Sequence, residues 1–304
     1  MLGLCALALM GWAAVIALAH HHLGAGDDGC SAGGEIIASS GCRYRAPQNI
    51  ALSADGRDLY VAEVEADRVV VLDARTLAFK QAFGAGLLAA PHDVSAGAGS
   101  RIYVADSGNR RIAVFEARGG RVDLVGELTA GFASPEGVLA HANGRIYATD
   151  DDGGKIVAFE DGRAVAKLEG LSRPHGVAAD GEGLIVAEAG AHRLSRLSGN
   201  LEPQPRAALD QRFRGPRYLF SDGDTLAVAE KMGHRVTLLT ASGLEVDHIG
   251  RGDKGLGRNR LRYPEGVALS GDSLYVSDSG NGRIVRYRRP SLAAGDPQAS
   301  GDAR

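Results

Sequence analysis

Aromatic side chains are scarce in this chain, making up 5% of 304 residues with a single tryptophan. A chain so poor in large rings must build its core from many small aliphatic side chains. Neither sign of charge prevails: 34 basic residues stand against 37 acidic ones, for a net charge of −3. That balance excludes the global basic field of a nucleic-acid binder. Long apolar runs are missing after residue 19, where only short ones such as Ile50-Ala51-Leu52 and Leu59-Tyr60-Val61 occur. Broken up by 43 glycines, these runs exclude an all-helical chain and predict many short strands joined by tight turns. Cysteine is sparse too. Of the three, Cys5 falls inside the apolar N-terminal run, so only Cys30 and Cys42 are left to form a disulfide in an oxidising compartment.

Residues 2–19 are uncharged and mostly apolar and end in Ala17-Leu18-Ala19, an A-x-A cleavage pattern. The run reads as a signal peptide. It carries no preceding Lys or Arg, however, and is long enough to serve as an uncleaved membrane anchor. Either way the rest of the chain is expected outside the cytoplasm, with membrane contact only through this segment. Residues 1–22 are assigned to it and 23–33 to a linker. Residues 291–304, rich in Ala, Gly, Ser, Asp and Pro, read as a disordered tail.

Between these ends, Pro47, Pro91, Pro135, Pro174, Pro216 and Pro264 recur at spacings of 44, 44, 39, 42 and 48 residues. A period of this size with several strands per repeat indicates propeller blades. Each proline precedes an apolar stretch and a turn such as Asn143-Gly144. A second strand then ends in an acid: Glu63, Asp106, Asp150, Glu188, Glu230 or Asp278. Five residues further on stands a base: Arg68, Arg111, Lys155, Arg193, Arg235 or Arg283. Because the pair recurs in all six repeats, it is read as a device that fixes blade geometry. The fold class is therefore all-β, a six-bladed propeller over residues 34–290. Its last repeat lacks an outer strand, and Glu35-Ile36-Ile37-Ala38-Ser39 is expected to supply it by pairing with Arg283–Arg288.

The sixth copy, Tyr263-Pro264-Glu265-Gly266-Val267 followed by Leu274-Tyr275-Val276-Ser277-Asp278-Ser279-Gly280-Asn281-Gly282-Arg283-Ile284, resembles the NHL repeat family. Ile102-Tyr103-Val104-Ala105-Asp106-Ser107-Gly108-Asn109-Arg110-Arg111-Ile112 is similar, and the resemblance spans about residues 46–288. Propellers of that kind include protein binders, RNA binders, lactonases and amidating lyases, so the resemblance implies a fold more than a function.

Loops leading into each first strand, and loops after each second strand, lie on one face around the channel mouth. The residue after each repeat proline borders that mouth and varies around the ring: Gln48, His92, Glu136, His175, Arg217 and Glu265. His92, His175 and Glu265 sit in alternate blades, and two histidines with a carboxylate are a ligand set for one zinc, iron or calcium ion. The amidating lyases place metal-binding histidines in Pro-His-Gly-like segments, which Pro91-His92-Asp93 and Pro174-His175-Gly176 resemble. Glu136, His192 and Arg217 are the candidates for handling protons and substrate charge. Arg258, Arg260 and Arg262, with Arg217, form a basic region expected to draw an anionic ligand. Two function classes follow. One is a binding or scaffold propeller engaging an anionic small ligand or a partner protein; the other is a metal-dependent lyase or hydrolase. Nucleic acid is not expected as a partner, because there is no aromatic platform for stacking bases.

Overall fold

The structure is a computed structural model and describes residues 36–204, 213–256 and 259–290. The expected signal or anchor segment, the linker, the tail, Cys30 and Arg258 lie outside those residues.

Among the described residues, twenty-three strands form six sheets arranged as a propeller. β1 (Ile36–Ser39) stands alone ahead of the first blade, which is built from β2 (Pro47–Leu52), β3 (Asp58–Glu63), β4 (Arg68–Asp73) and β5 (Phe79–Phe83). Blade two follows with β6 (Pro91–Ala96), β7 (Arg101–Asp106), β8 (Arg111–Arg118) and β9 (Arg121–Leu128). Blade three contains β10 (Pro135–Ala140), β11 (Ile146–Asp150), β12 (Lys155–Glu160) and β13 (Arg163–Glu169). In blade four, β14 (Pro174–Asp180), β15 (Gly183–Glu188) and β16 (Arg193–Leu197) make a sheet of three strands among the described residues. Its expected irregular outer segment near Leu201–Leu209 contributes one isolated bridge, Leu197 to Pro203, and then leaves the described residues. Blade five holds β17 (Pro216–Ser221), β18 (Thr225–Glu230), β19 (Arg235–Thr240) and β20 (Glu245–Ile249). Blade six holds β21 (Val267–Ser270), β22 (Ser273–Asp278) and β23 (Arg283–Arg288).

The ring closes as the sequence predicts. β1 joins β23 antiparallel, with Ile36 opposite Tyr287 and Ser39 opposite Val285. Ser40 extends the seam, since its backbone N–H donates to Ile284 O at 3.0 Å and its hydroxyl accepts from Ile284 N at 2.9 Å. A chain segment from before blade one thus covers the edge that blade six would otherwise expose.

Every middle strand is buried on both faces, because alternate side chains point toward the two neighbouring blades. Val61 packs against Ala268 and Tyr275 of blade six, whereas its neighbour Tyr60 packs with Val94 and Val104 of blade two. The core therefore consists of layers between blades rather than one centre, which is how few aromatics suffice.

The acid and base of each repeat face one another in register across the second and third strands. Glu63 and Arg68 are 2.7 Å apart, Asp106 and Arg111 2.8 Å, and Asp278 and Arg283 2.7 Å. Each acid also accepts a backbone N–H from the loop entering its own blade: Arg45 N to Glu63, Ala89 N to Asp106, Arg214 N to Glu230, Arg262 N to Asp278. A buried carboxylate thus pins the incoming loop, and the base balances its charge. The repeated pair is structural.

Candidate functional site

Strand starts and the loops after the second strands bring their variable residues to one end of the channel. Close packing there requires glycine at some positions. A Cβ on Gly137 would stand 2.3 Å from His175 O, far inside contact distance, so the first strands of blades three and four meet backbone to backbone. Hydroxyls then bind three of the blades to the next: Ser107 Oγ donates to Pro135 O, Thr149 Oγ1 to His175 O, and Ser277 Oγ to Pro47 O at 2.8 Å.

These constraints place Glu136 between the two histidines. His92 Nε2 lies 3.4 Å and His175 Nε2 3.6 Å from Glu136 Oε2. The far side of each ring is anchored. His92 Nδ1 is 2.9 Å from Ala90 O, which only accepts, so Nδ1 carries the hydrogen and Nε2 presents a lone pair. His175 Nδ1 is 3.3 Å from Asp151 Oδ2, and its ring lies 4.9 Å from that of Tyr218. Tyr218 in turn donates its hydroxyl to Glu136 O at 3.0 Å. Ser134 Oγ donates to Glu136 Oε1 at 3.0 Å, but buried Oε2 has no hydrogen-bond partner.

Burial governs the protonation of this group. It pushes Glu136 up to about 8, with Asp151 and Glu265 adding repulsion against the opposing effects of Ser134 and Arg217. Burial also drives His92 down to about 4 and His175 to about 3, helped in both cases by the Arg217 charge. At neutral pH the imidazoles are uncharged. Burial would raise Asp151, but hydrogen bonds from His175 and Arg173 outweigh it and hold that carboxyl at about 2.

Glu265 is not with the histidines. Its Oε1 is 2.5 Å from Lys231 Nζ and its Oε2 is 3.8 Å from Arg217 Nε. The expected set of His92, His175 and Glu265 is therefore not assembled, and among the described residues no group of three or more His, Cys, Asp or Glu is placed to hold a metal ion. Arg217 adds an electrostatic obstacle, since its Nη1 lies 3.1 and 3.4 Å from the two ring nitrogens of His175. As arranged, these residues do not form a metal-ligand set.

His192 also falls elsewhere. It adopts a left-handed backbone, and its Nδ1 accepts Gly215 N–H at 3.2 Å, tying its loop to the entry of blade five. Of the basic residues singled out from sequence, Arg217 reaches the mouth. Arg260 pairs with Asp253 at 3.1 Å, and Arg262 lies over the Tyr263 ring at 6.0 Å. Asp151, Lys231 and Tyr218 belong to the site without having been foreseen. The first two directly follow the repeat acids Asp150 and Glu230, at a position that reads Val64, Ser107, Asp151, Ala189, Lys231 and Ser279 around the ring. That variation was the available signal.

Fold and mouth together define a six-bladed β-propeller with a polar, partly buried site at one end of its channel. Residues 261–287 match the NHL repeat. No curated protein matches the chain by sequence. Among solved structures, a catalytically inactive virginiamycin B lyase from Staphylococcus aureus with quinupristin is 14% identical, covering 81% of this chain and 95% of that one with a TM-score of 0.60. A chain of a nidogen/laminin complex is 20% identical over 70% of this chain and 84% of that one, at a TM-score of 0.59. Kuenenia stuttgartiensis hydrazine synthase is 15% identical over 82% and 97%, at 0.58. At such identities the likeness is one of fold.

Proposed function

We propose that this chain is an extracytoplasmic binding propeller whose channel mouth holds a small ligand, or a group of a partner protein, through its negative charge. The observation that carries this reading is Arg217, a partly exposed guanidinium whose buried Nε has no hydrogen-bond partner. Lys231 stands beside it, and the two cations share one carboxylate, Glu265. With neutral histidines, a protonated Glu136, and Arg173 offsetting Asp151 at 2.8 Å, the mouth keeps an excess of positive charge. Low-dielectric walls strengthen its pull on an anion. Propellers of this shape include one solved with quinupristin and one in a nidogen/laminin complex, so both kinds of partner have precedent in the fold.

Isothermal titration with acetate tests the reading. Wild-type protein binds acetate, and Arg217→Met weakens that binding by about tenfold or more, the scale of one charged hydrogen bond. Equal affinity in the variant would reject it. The metal-dependent lyase or hydrolase reading is decided on the same sample: stoichiometric zinc, iron or calcium after loading and dialysis would favour it. The pairing of Cys30 with Cys42 belongs to the proposal as well. Cys42 is disulfide-bonded, and Cys30 would be its partner in an exported chain. A bridge across so short a loop contributes on the order of 3 kcal/mol when unstrained. Thiol counting in denaturant, without reductant, should find neither cysteine free; two free thiols would refute the pairing.

A further inference from the structure

The channel mouth leaves polar atoms of both kinds without partners. Glu136 Oε2 and Glu265 Oε2 are buried carboxyl oxygens with no hydrogen-bond partner, and Arg217 Nε is a buried donor in the same condition. Glu136 is 7% exposed and Glu265 1%, so neither is a surface group that bulk water satisfies. The two histidines add to the acceptor side. His92 Nε2 presents a lone pair toward Glu136, because Nδ1 is committed to Ala90 O and also lies 2.9 Å from Ser107 Oγ. His175 also points Nε2 toward Glu136, while its Nδ1 lies 3.3 Å from Asp151 Oδ2 and 3.1 Å from Arg217 Nη1. One imidazole separates the two halves of the site. His175 Nε2 is 3.6 Å from Glu136 Oε2 on one side and 3.4 Å from Arg217 Nη1 on the other.

We propose that the ligand of the channel mouth is a small zwitterion, such as an α-amino acid, with its carboxylate on Arg217 and Lys231 and its protonated amine among Glu136, His92 and His175. The proposal rests on the anion-binding reading above and adds the second half of the ligand. A buried acceptor with no partner is costly, and an ammonium supplies three donors, enough for the Glu136 oxygen and both imidazole nitrogens. Its charge favours the ionised form of Glu136 against the burial that raises it. A metal ion would meet the same acceptors but would bring no anion for Arg217. A simple carboxylate would leave Glu136 unpaired. The zwitterion satisfies donor and acceptors together and adds no net charge to the site. His92, Arg217 and Lys231, with side chains 21%, 20% and 31% exposed, mark the open side through which a ligand enters.

Isothermal titration at neutral pH with glycine, acetate, methylammonium and N-acetylglycine tests this. Glycine should bind about tenfold or more tightly than acetate, with methylammonium weaker than glycine and N-acetylglycine no better than acetate. Glu136→Gln should remove the preference for glycine over acetate, while Arg217→Met weakens both. Acetate binding as tightly as glycine, N-acetylglycine matching glycine, or a preference that survives Glu136→Gln would each overturn the proposal and leave anion binding standing. No binding of glycine or acetate by the wild-type protein would overturn both. The N-acetylglycine comparison needs no variant, so the test holds even if Glu136→Gln fails to fold.

Discussion

Individual side chains at the mouth are held in charge states they would not have in water. His175 is the plainest case: burial lowers it from its ordinary value near 6.5 to about 3, and Arg217 and His92 push the same way. A histidine whose folded value lies below its unfolded one favours the native state when neutral, so its contribution is complete above about 6.5 and is lost as the pH falls toward 3. We expect the wild-type melting temperature to fall over that window, and His175→Gln to show a shallower fall. Parallel pH profiles for the two proteins would contradict this. Glu136 acts with the opposite sign: its raised value makes ionisation unfavourable in the fold, costing stability as the pH rises toward 8. The two windows overlap between about 4.5 and 6.5, where the effects oppose, so the histidine's effect stands alone below about 4.5. The identities of His92, Glu136, His175 and Arg217 at the mouth were legible because one repeat position broke the pattern of its copies. Their partners were not. Which carboxylate meets which cation depends on reach across neighbouring blades, and Lys231 of blade five finding Glu265 of blade six cannot be read from spacing within a repeat.

Strands and their turns were the most legible part, because two constraints repeat in every blade. The proline opens the first strand in blades one to five, and the acid and base mark the end of the second strand and the start of the third. In blade six the first strand starts later, at Val267, although Glu265 N–H still donates to Ser277 O of β22, while its carbonyl accepts from Tyr218 N of blade five. Less legible was the weight each acid–base pair carries. Arg283 is fully buried against a fully buried Asp278, whereas the Arg68 side chain is 37% exposed against buried Glu63. Removing a buried partner strands a charge, which costs about 3–5 kcal/mol, while a partly exposed pair is rescued by water. Arg283→Met should therefore lower unfolding free energy by about that amount, and Arg68→Met by roughly 1–2 kcal/mol. Denaturant titrations showing equal losses would mean the pairs are energetically alike and that burial does not grade them.

Across the whole molecule, closure and asymmetry determine what the propeller presents. Closure of blade six by β1 was predictable because a segment before the first proline occupied the place of an outer strand, and an open edge is unfavourable. The outer edge of blade four was harder to read, since its sequence between Leu197 and Phe213 lacks the alternating pattern of the other outer strands. A ring of six similar blades would give a symmetric mouth. Here the histidines and Glu136 sit in blades two to four, while Arg217, Lys231 and Glu265 sit in blades five and six, so acceptors and cations divide the rim. That division is the central claim, and a crystal soaked in sodium bromide tests it most directly, because bromide is an unreactive anion that marks its site by its anomalous signal. The account predicts a peak at the channel mouth beside Arg217 and Lys231. A peak found only on the loop bearing Arg260 and Arg262, with the mouth empty, would contradict it.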